Sequence, residues 1–436
     1  MSSLTISYTI RLVAASIAIF SIGTLTWATH FYSEIPLWIF SVCMIGAFIA
    51  CIMAFFNVTQ KNLMFIFWVS LILQALAVTG KPILEDDHYR FLWDGYQFAT
   101  TGTPYGQAPE AAFGRDDIPV LFDNVLDRVN YPETPTIYAP TNQYIFLVAY
   151  WIKPGSITAL QAVLAMINLL LIILLLRIAP ARYALLYAWS PLVIKEIAFT
   201  AHIDGMGAAL LFSAVWLFHK QSNLRAAILL ALAACVKVFA WLLIPFLIWR
   251  QPIRVWIVFI LSLALLYLPF IIQGNTDLAG FLVFAEYWEF NPALYGLIVQ
   301  WFSPLTSKLF LAILFLSWYT YYWWHYQKVT AQKPVNQIPR GDIIYGLFLL
   351  ISPVINSWYV LWLLPFATLH KAIWPWVCSL AILLSYFTWL NLENYQEEPF
   401  AIPITLTFLQ FSLIALAITY DWYKARSLSN QAYGNQ

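Results

Sequence analysis

The chain has 436 residues, of which 62% are apolar and 10% charged, with a mean hydropathy of +0.73. A soluble domain carries roughly 25% charged residues, so a soluble globular enzyme and a disordered chain are excluded. The formal net charge of +1 offers no field for a polyanion and excludes a nucleic-acid-binding module.

The apolar runs are continuous rather than alternating, which specifies an all-α polytopic membrane protein rather than a β-barrel. Stretches near 8–28, 36–56 and 63–80 are each about long enough to span a bilayer. The first lacks a small-residue cleavage site and reads as a retained helix. Residues 81–139 then form a polar insertion rich in Pro, Gly, Asp and aromatics. Apolar segments resume at about 140–152, 156–176, 183–200, 204–219, 226–249, 253–272, 305–325, 342–355, 357–370, 372–391 and 401–421. The length rule gives roughly 12–14 spans, some short or broken, within a single membrane domain over 1–436. Broken segments are tolerated only where protein or a cavity satisfies the backbone, which points to an intramembrane site near Lys195, His202 and Lys237. Cys43, Cys51, Cys235 and Cys378 each sit in an apolar run and read as buried hydrophobes. No internal repeat or low-complexity tract stands out.

Charge asymmetry orients the chain. With the N-terminus cytoplasmic, Arg11, Lys61, Arg177, Arg182, Lys220, Arg225, Arg250, Arg254, the run Lys328 through Arg340, Lys371, Lys424 and Arg426 fall inside. This treats 140–152 as a partial, re-entrant segment and 226–249 as two half-spans meeting near Lys237. Ten of the 21 acids then lie in the extracytoplasmic 81–139 loop. Asn57, Val58 and Thr59 match a glycosylation acceptor but fall on the cytoplasmic side. Most of the 21 Trp, 25 Tyr and 32 Phe read as lipid-facing or interfacial anchors.

The insertion opens with EDDHYRFLWDGYQFATTGTPYG (85–106). Tyr89, Leu92, Trp93 and Tyr96 recur at helical spacing, and Asp86, Arg90 and Asp94 line another face. Gly102 and Pro104 end the helix. The expectation is an amphipathic helix lying on the outer membrane surface. Glu85, Asp86 and Asp87 are three adjacent carboxylates, whose mutual repulsion should raise at least one pKa. A hydroxyl-activating general base at the water–lipid boundary needs such a group; an acidic helix N-terminus that complements the macrodipole is the plainer alternative.

DDHYRFLWDG (86–95), GTPYGQAPEAAF (102–113) and NYPETPTIYAPTNQYIF (130–146) together resemble the integral-membrane glycosyltransferases of the GT-C superfamily. The resemblance is to the mannosyltransferase-like branch that uses polyprenyl-phosphate sugars. SPLVIKEIAFTAHIDGM (190–206), CVKVFAWLLIPFL (235–247) and SPVINSWYVLWLLPF (352–366) extend it over about 63–370. Departures are Ala139 and Ala240 where the pattern usually has proline, and Asn356 where it often has histidine.

The resemblance implies a GT-C-type bundle and an inverting hexosyl transfer, of mannose from a polyprenyl phosphate, to a glycan, lipid or protein hydroxyl. The loop base falls on Asp86, the first acid of the motif, with Asp87 second and able to orient the base or acceptor. Arg90, Lys237 and Lys195 would bind the donor phosphate, although Arg90 could equally make a surface i, i+4 pair, Lys237 a salt bridge to Asp204 or Glu196, and Lys195 could neutralise Glu196. His202 and Asp204 would contact sugar or phosphate, and Tyr138, Trp358 and Tyr359 would stack on the sugar. HxD alone supplies too few ligands for a metal, so no metal or other cofactor is expected, a divalent ion being possible but unsupported. A bacterial cytoplasmic (inner) membrane is the implied location. Two rival functions remain at this level. A transporter or flippase of a lipid-linked sugar should show internal repeats; a glycan polymerase or ligase should show a large late loop with Arg/His clusters.

Overall fold

The computed structural model describes residues 3–332 and 338–434; Lys333, within the expected basic run, lies outside them. The architecture is helical throughout, and among the described residues the one β pairing is an isolated bridge between Phe290 and Val354. This is the all-α polytopic architecture expected. Helices α1 (Ser3–Phe31), α2 (Leu37–Asn57) and α3 (Leu63–Val78) pack together as the first three long apolar elements. Their sequences carry Leu, Ile, Phe, Met and Ala with no acidic residue in a first turn, so solvation favours the bilayer along most of their length.

Against the roughly 12–14 spans expected on length, six helices among the described residues are by themselves long and apolar enough to cross. They are Thr5–Phe31, Leu37–Asn57, Gln60–Val78, Ile157–Ile178, Ile253–Ile272 and Ile404–Arg426. A seventh crossing exists if Ala181–Phe199 and Asp204–His219, bent by 115° at their junction, count as one. The other apolar runs are divided into shorter pieces, among them Asn223–Ala234, Val238–Ile248, Gly341–Ile351 and Trp374–Tyr386. The expected meeting of two half-spans near Lys237 is present: Asn223–Ala234 ends, Lys237 is extended, and a 3-10 turn begins at Val238. The four cysteines are buried and free.

The insertion carries helix α4 (Asp87–Thr101), with Asp86 at its N-cap and Gly102 in the left-handed conformation (φ 80°) at its end. The expected boundaries hold, but the apolar face does not meet lipid. Trp93 is buried, and with Tyr89, Leu92 and Tyr96 it packs against Phe122, Val125, Leu126 and Val129. Residues 120–129 fold back over α4, and Tyr96 stacks on Phe122 at 4.1 Å. Burying an aromatic of this size contributes roughly 1.5–3 kcal/mol, so the insertion has a small core of its own.

The opposite side of α4 lies on the helix Pro140–Ile152. At Gly95 a Cβ would come within 2.8 Å of the Phe146 carbonyl oxygen, so only glycine allows the two backbones this close. Phe91 stacks on Phe146 beside that contact, at 4.9 Å. The inner end of the insertion is thereby fixed to the bundle, and Asp86 and Asp87 are held at the mouth of the bent-helix junction.

Candidate active site

The junction itself is unusual backbone. Residues Ile194–Phe199 form a π-helical turn, the Thr200 amide bonding back to the Lys195 carbonyl. Ala201 is buried with φ 58°, and the His202 amide donates to the Glu196 carbonyl at 2.8 Å. A π-turn and a buried non-glycine residue in the left-handed region both cost energy and cluster at functional sites. Here they break the span and turn Lys195, Glu196 and His202 toward one another.

Glu196 is fully buried and saturated. Its Oε1 accepts from Ser357 Oγ at 2.8 Å and Tyr386 Oη at 2.9 Å. Its Oε2 faces Lys195 Nζ at 3.3 Å and His202 Nδ1 at 2.9 Å. Lys195 also donates to Tyr386 Oη and sits over that ring at 3.7 Å. Lys195 is fully enclosed, so the mutual neutralisation with Glu196 describes its surroundings, and no open surface brings it to a ligand phosphate.

His202 is fixed on three sides. Nδ1 meets Glu196 and, at 3.0 Å, Thr200 Oγ1. Trp358 stacks on the ring at 3.8 Å and 16°. Nε2 is shut off from solvent, has no hydrogen-bond partner, and points at Asp87 Oδ2, 3.9 Å away.

Asp204 begins the next helix, its carboxylate 1% exposed. It accepts from Lys237 Nζ at 3.0 and 3.1 Å and from Trp362 Nε1 at 2.7 Å. Gly207 makes room for Trp362, which a Cβ there would meet at 2.4 Å. Lys237 keeps 21% of its side chain exposed and lies over the Tyr359 ring at 4.2 Å. Of the two intramembrane lysines, this one retains access.

The carboxylates of the loop differ. Asp86 is exposed and accepts a hydrogen bond from Asn130 Nδ2. Desolvation by the surrounding loop, then repulsion from Asp87, pushes its carboxyl up to about 6. Glu85 is pushed well above the usual carboxylate range, first by desolvation, with Lys195 opposing. Asp87 is one-third exposed and turned inward to His202. His88 is buried against Tyr89 and pushed down to about 4, by desolvation and then by His202.

Arg90 belongs elsewhere. Its Nε pairs with Asp94 Oδ1 at 3.1 Å and its Nη2 donates to the Thr134 carbonyl at 2.7 Å. Asp94, 1% exposed, also accepts from Thr136 Oγ1 and, at 2.9 Å, Gln143 Nε2. This i, i+4 pair is therefore buried rather than on the surface, because the 134–136 segment and the Pro140–Ile152 helix close over it. Tyr138 is half-buried beside it, its ring edge-on to Phe91 at 5.0 Å. The structure thus gathers Asp87, His202, Trp358, Tyr359, Asp204 and Lys237 around the bent junction, with Asp86 at its outer edge. Arg90 and Lys195 are consumed by internal pairs.

Ser357, Tyr386, Asn130 and Trp362 escaped the sequence reading. Glu196 was visible only as a counter-charge. Residues six apart stand on different faces of a regular helix, so nothing in the spacing of Glu196 and His202 announces their contact. Among the described residues no group of three or more His, Cys, Asp or Glu could hold a metal ion. A cavity of about 150 Å³ lined by His219, Arg250 and Gln327 lies at the far end of the Asp204–His219 helix, away from these groups.

A family model described as "Alpha-(1->6)-mannopyranosyltransferase, N-terminal domain" matches residues 9–252. The match covers the insertion, the bent junction and Lys237; the 352–366 motif lies beyond it. No curated protein and no solved structure matches the chain.

Proposed function

The chain belongs to the alpha-(1->6)-mannopyranosyltransferase family, a membrane glycosyltransferase of the GT-C type, and we propose that it moves mannose from a polyprenyl phosphate to an acceptor hydroxyl with inversion. The family points to a lipid-linked sugar donor and a glycan acceptor. An inverting reaction that makes an α linkage requires a β-linked donor. The loop side of the site faces away from the cytoplasm in this reading, with both termini cytoplasmic in a bacterial inner membrane; the cytoplasmic cluster of Lys and Arg supports it.

The acidic pair supplies the base. Motif order favours Asp86 in that role. The geometry favours Asp87 as the group that takes the proton, because it faces the junction while Asp86 is bound by Asn130 at the outer edge. The acceptor oxygen attacks C1 while the C1–O bond to phosphate breaks. The departing phosphate is a good leaving group and needs charge stabilisation more than a proton. Lys237 provides it, with Asp204 and Trp362 holding the ammonium in place. Trp358 and Tyr138 provide ring faces for the sugar. Arg90 and Lys195 serve as internal counter-charges, holding the loop and the junction.

The observation that carries this reading is the convergence of one open carboxylate, Asp87, and one accessible lysine, Lys237, on a broken span. Transfer of mannose from polyprenyl-phosphate mannose to an α-linked mannoside, by the purified protein in detergent or vesicles, tests it. Transport of the lipid-linked sugar without bond formation would overturn it.

A further inference from the structure

Resting on that reading, we propose that His202 is the second proton station of the reaction, behind Asp87, and that Glu196 is the positioning residue that sets its tautomer and holds its charge. The proposal stands on the placement of one atom. His202 Nε2 is closed to solvent and unpartnered, and the ionisable group it faces at 3.9 Å is Asp87 Oδ2. At 3.9 Å the pair lies outside a direct hydrogen bond and inside the roughly 4.5 Å that a bridging water needs, so transfer takes place when Asp87 closes on Nε2 by about 1 Å. A sugar or phosphate oxygen cannot reach Nε2 without displacing Asp87. This separates His202 from direct substrate contact and couples it to the carboxylate.

The remaining contacts prepare the ring for that task. Glu196 accepts from Nδ1, which leaves Nε2 as the basic nitrogen. Trp358 fixes the ring plane. Ser357 and Tyr386 hold Glu196 from the other side, so its carboxylate cannot turn away. The π-turn and the left-handed Ala201 place residues six apart in contact, a local cost that a merely structural histidine would not require.

The proton balance is simple. The acceptor O–H gives its electron pair to C1 and its proton to Asp87. The bond from C1 to the phosphate oxygen breaks, and its electrons leave with the phosphate. The proton passes from Asp87 to His202 Nε2, making an imidazolium flanked by Asp87 and Glu196. It returns through Asp87 to the phosphate or to water before the next turnover.

The charged groups that face His202 are Asp87 and His88 from α4 and Glu196 from its own segment, with Lys195 behind Glu196 and Glu85 near Lys195. Removing the Glu196 charge therefore disfavours the imidazolium. In Glu196→Gln, kcat should fall about 100-fold, the lower end of what positioned proton transfer contributes. Donor KM should stay within about threefold, and the acid limb of the kcat–pH profile should move to lower pH by about one unit, the sign set by loss of a negative neighbour. Because Lys195 loses its partner there, His202→Asn is the companion variant. Its amide keeps a donor for Glu196 and removes Nε2, so it should give the same fall in kcat and the same direction of shift. Wild-type kcat and limb position in His202→Asn, or in a folded Glu196→Gln, would overturn the proposal. An active Asp87→Asn would instead overturn the base assignment on which it rests.

Discussion

His202 Nε2 and Asp87 Oδ2 stand 3.9 Å apart, the nitrogen closed to solvent. The first atom belongs to a broken intramembrane helix and the second to the first turn of the loop helix. Their approach joins the two halves of the site, and it depends on the loop being anchored and on the junction being bent.

The loop anchor can be tested at Gly95. A Cβ there meets the Phe146 carbonyl at 2.8 Å, which is backbone and cannot swing aside. Gly95→Ala should lower stability by about 1–3 kcal/mol, as overpacking does, and reduce sugar transfer by moving Asp87. Thermal unfolding in detergent and an activity assay check both; unchanged values would show that α4 is not held by this contact.

The Lys237–Asp204 pair separates stability from function. Lys237→Met leaves the Asp204 charge buried with only Trp362 to bond it, at a cost of about 3 kcal/mol. The double variant Lys237→Met with Asp204→Asn should recover most of the stability. It should not recover transfer, and donor KM should stay raised at least tenfold, because the ammonium for the phosphate is gone. Recovery of activity in the double variant would remove Lys237 from the donor site.

Asp86 gives a stability prediction with a defined sign. Its folded carboxyl is raised to about 6 from 3.8. The protonated form is the one the fold favours, so its contribution is complete below about 4 and is lost as pH rises through about 6. The Asp86 side chain makes no capping bond to lose, and Asp86→Asn keeps an acceptor for Asn130, so it should raise the melting temperature at pH 7.5 while changing little at pH 4. Solvent screening at this exposed position limits the gain to about 1 kcal/mol. A gain confined to low pH would contradict the account.

The same carboxyl shapes the wild-type rate. Protonation of Asp86 below about pH 6 removes a negative charge from beside the base, and transfer should fall with it, by at most about tenfold per pH unit as a single ionisation allows. A rate flat from pH 4.5 to 7 would mean that the charge on Asp86 does not assist the reaction.

Much of this was legible in the sequence. The loop helix and its end at Gly102 follow from periodicity and turn residues, the half-spans meeting near Lys237 from the placement of positive charges, and the family resemblance from the motif residues themselves. The apolar face of α4 was misplaced onto lipid because periodicity reports a buried face without naming its cover, which residues 120–129 supply. Arg90 and Asp94 read as a surface pair because their partners Thr134, Thr136 and Gln143 are distant in sequence. Among the described residues six helices are long enough to cross alone, and the other apolar runs are the short or broken pieces that length alone does not resolve into crossings. Glu196 was least visible, since a π-turn has no sequence signature comparable to a glycine or proline.

The most direct test of the central claim is transfer from polyprenyl-phosphate mannose by Asp86→Asn and Asp87→Asn, each shown to be folded. The account predicts that Asp87→Asn loses about three orders of magnitude or more in rate, the middle to upper part of a general base's usual share, because it also cuts off His202. Asp86→Asn should lose less. Near-wild-type transfer by both variants would contradict it.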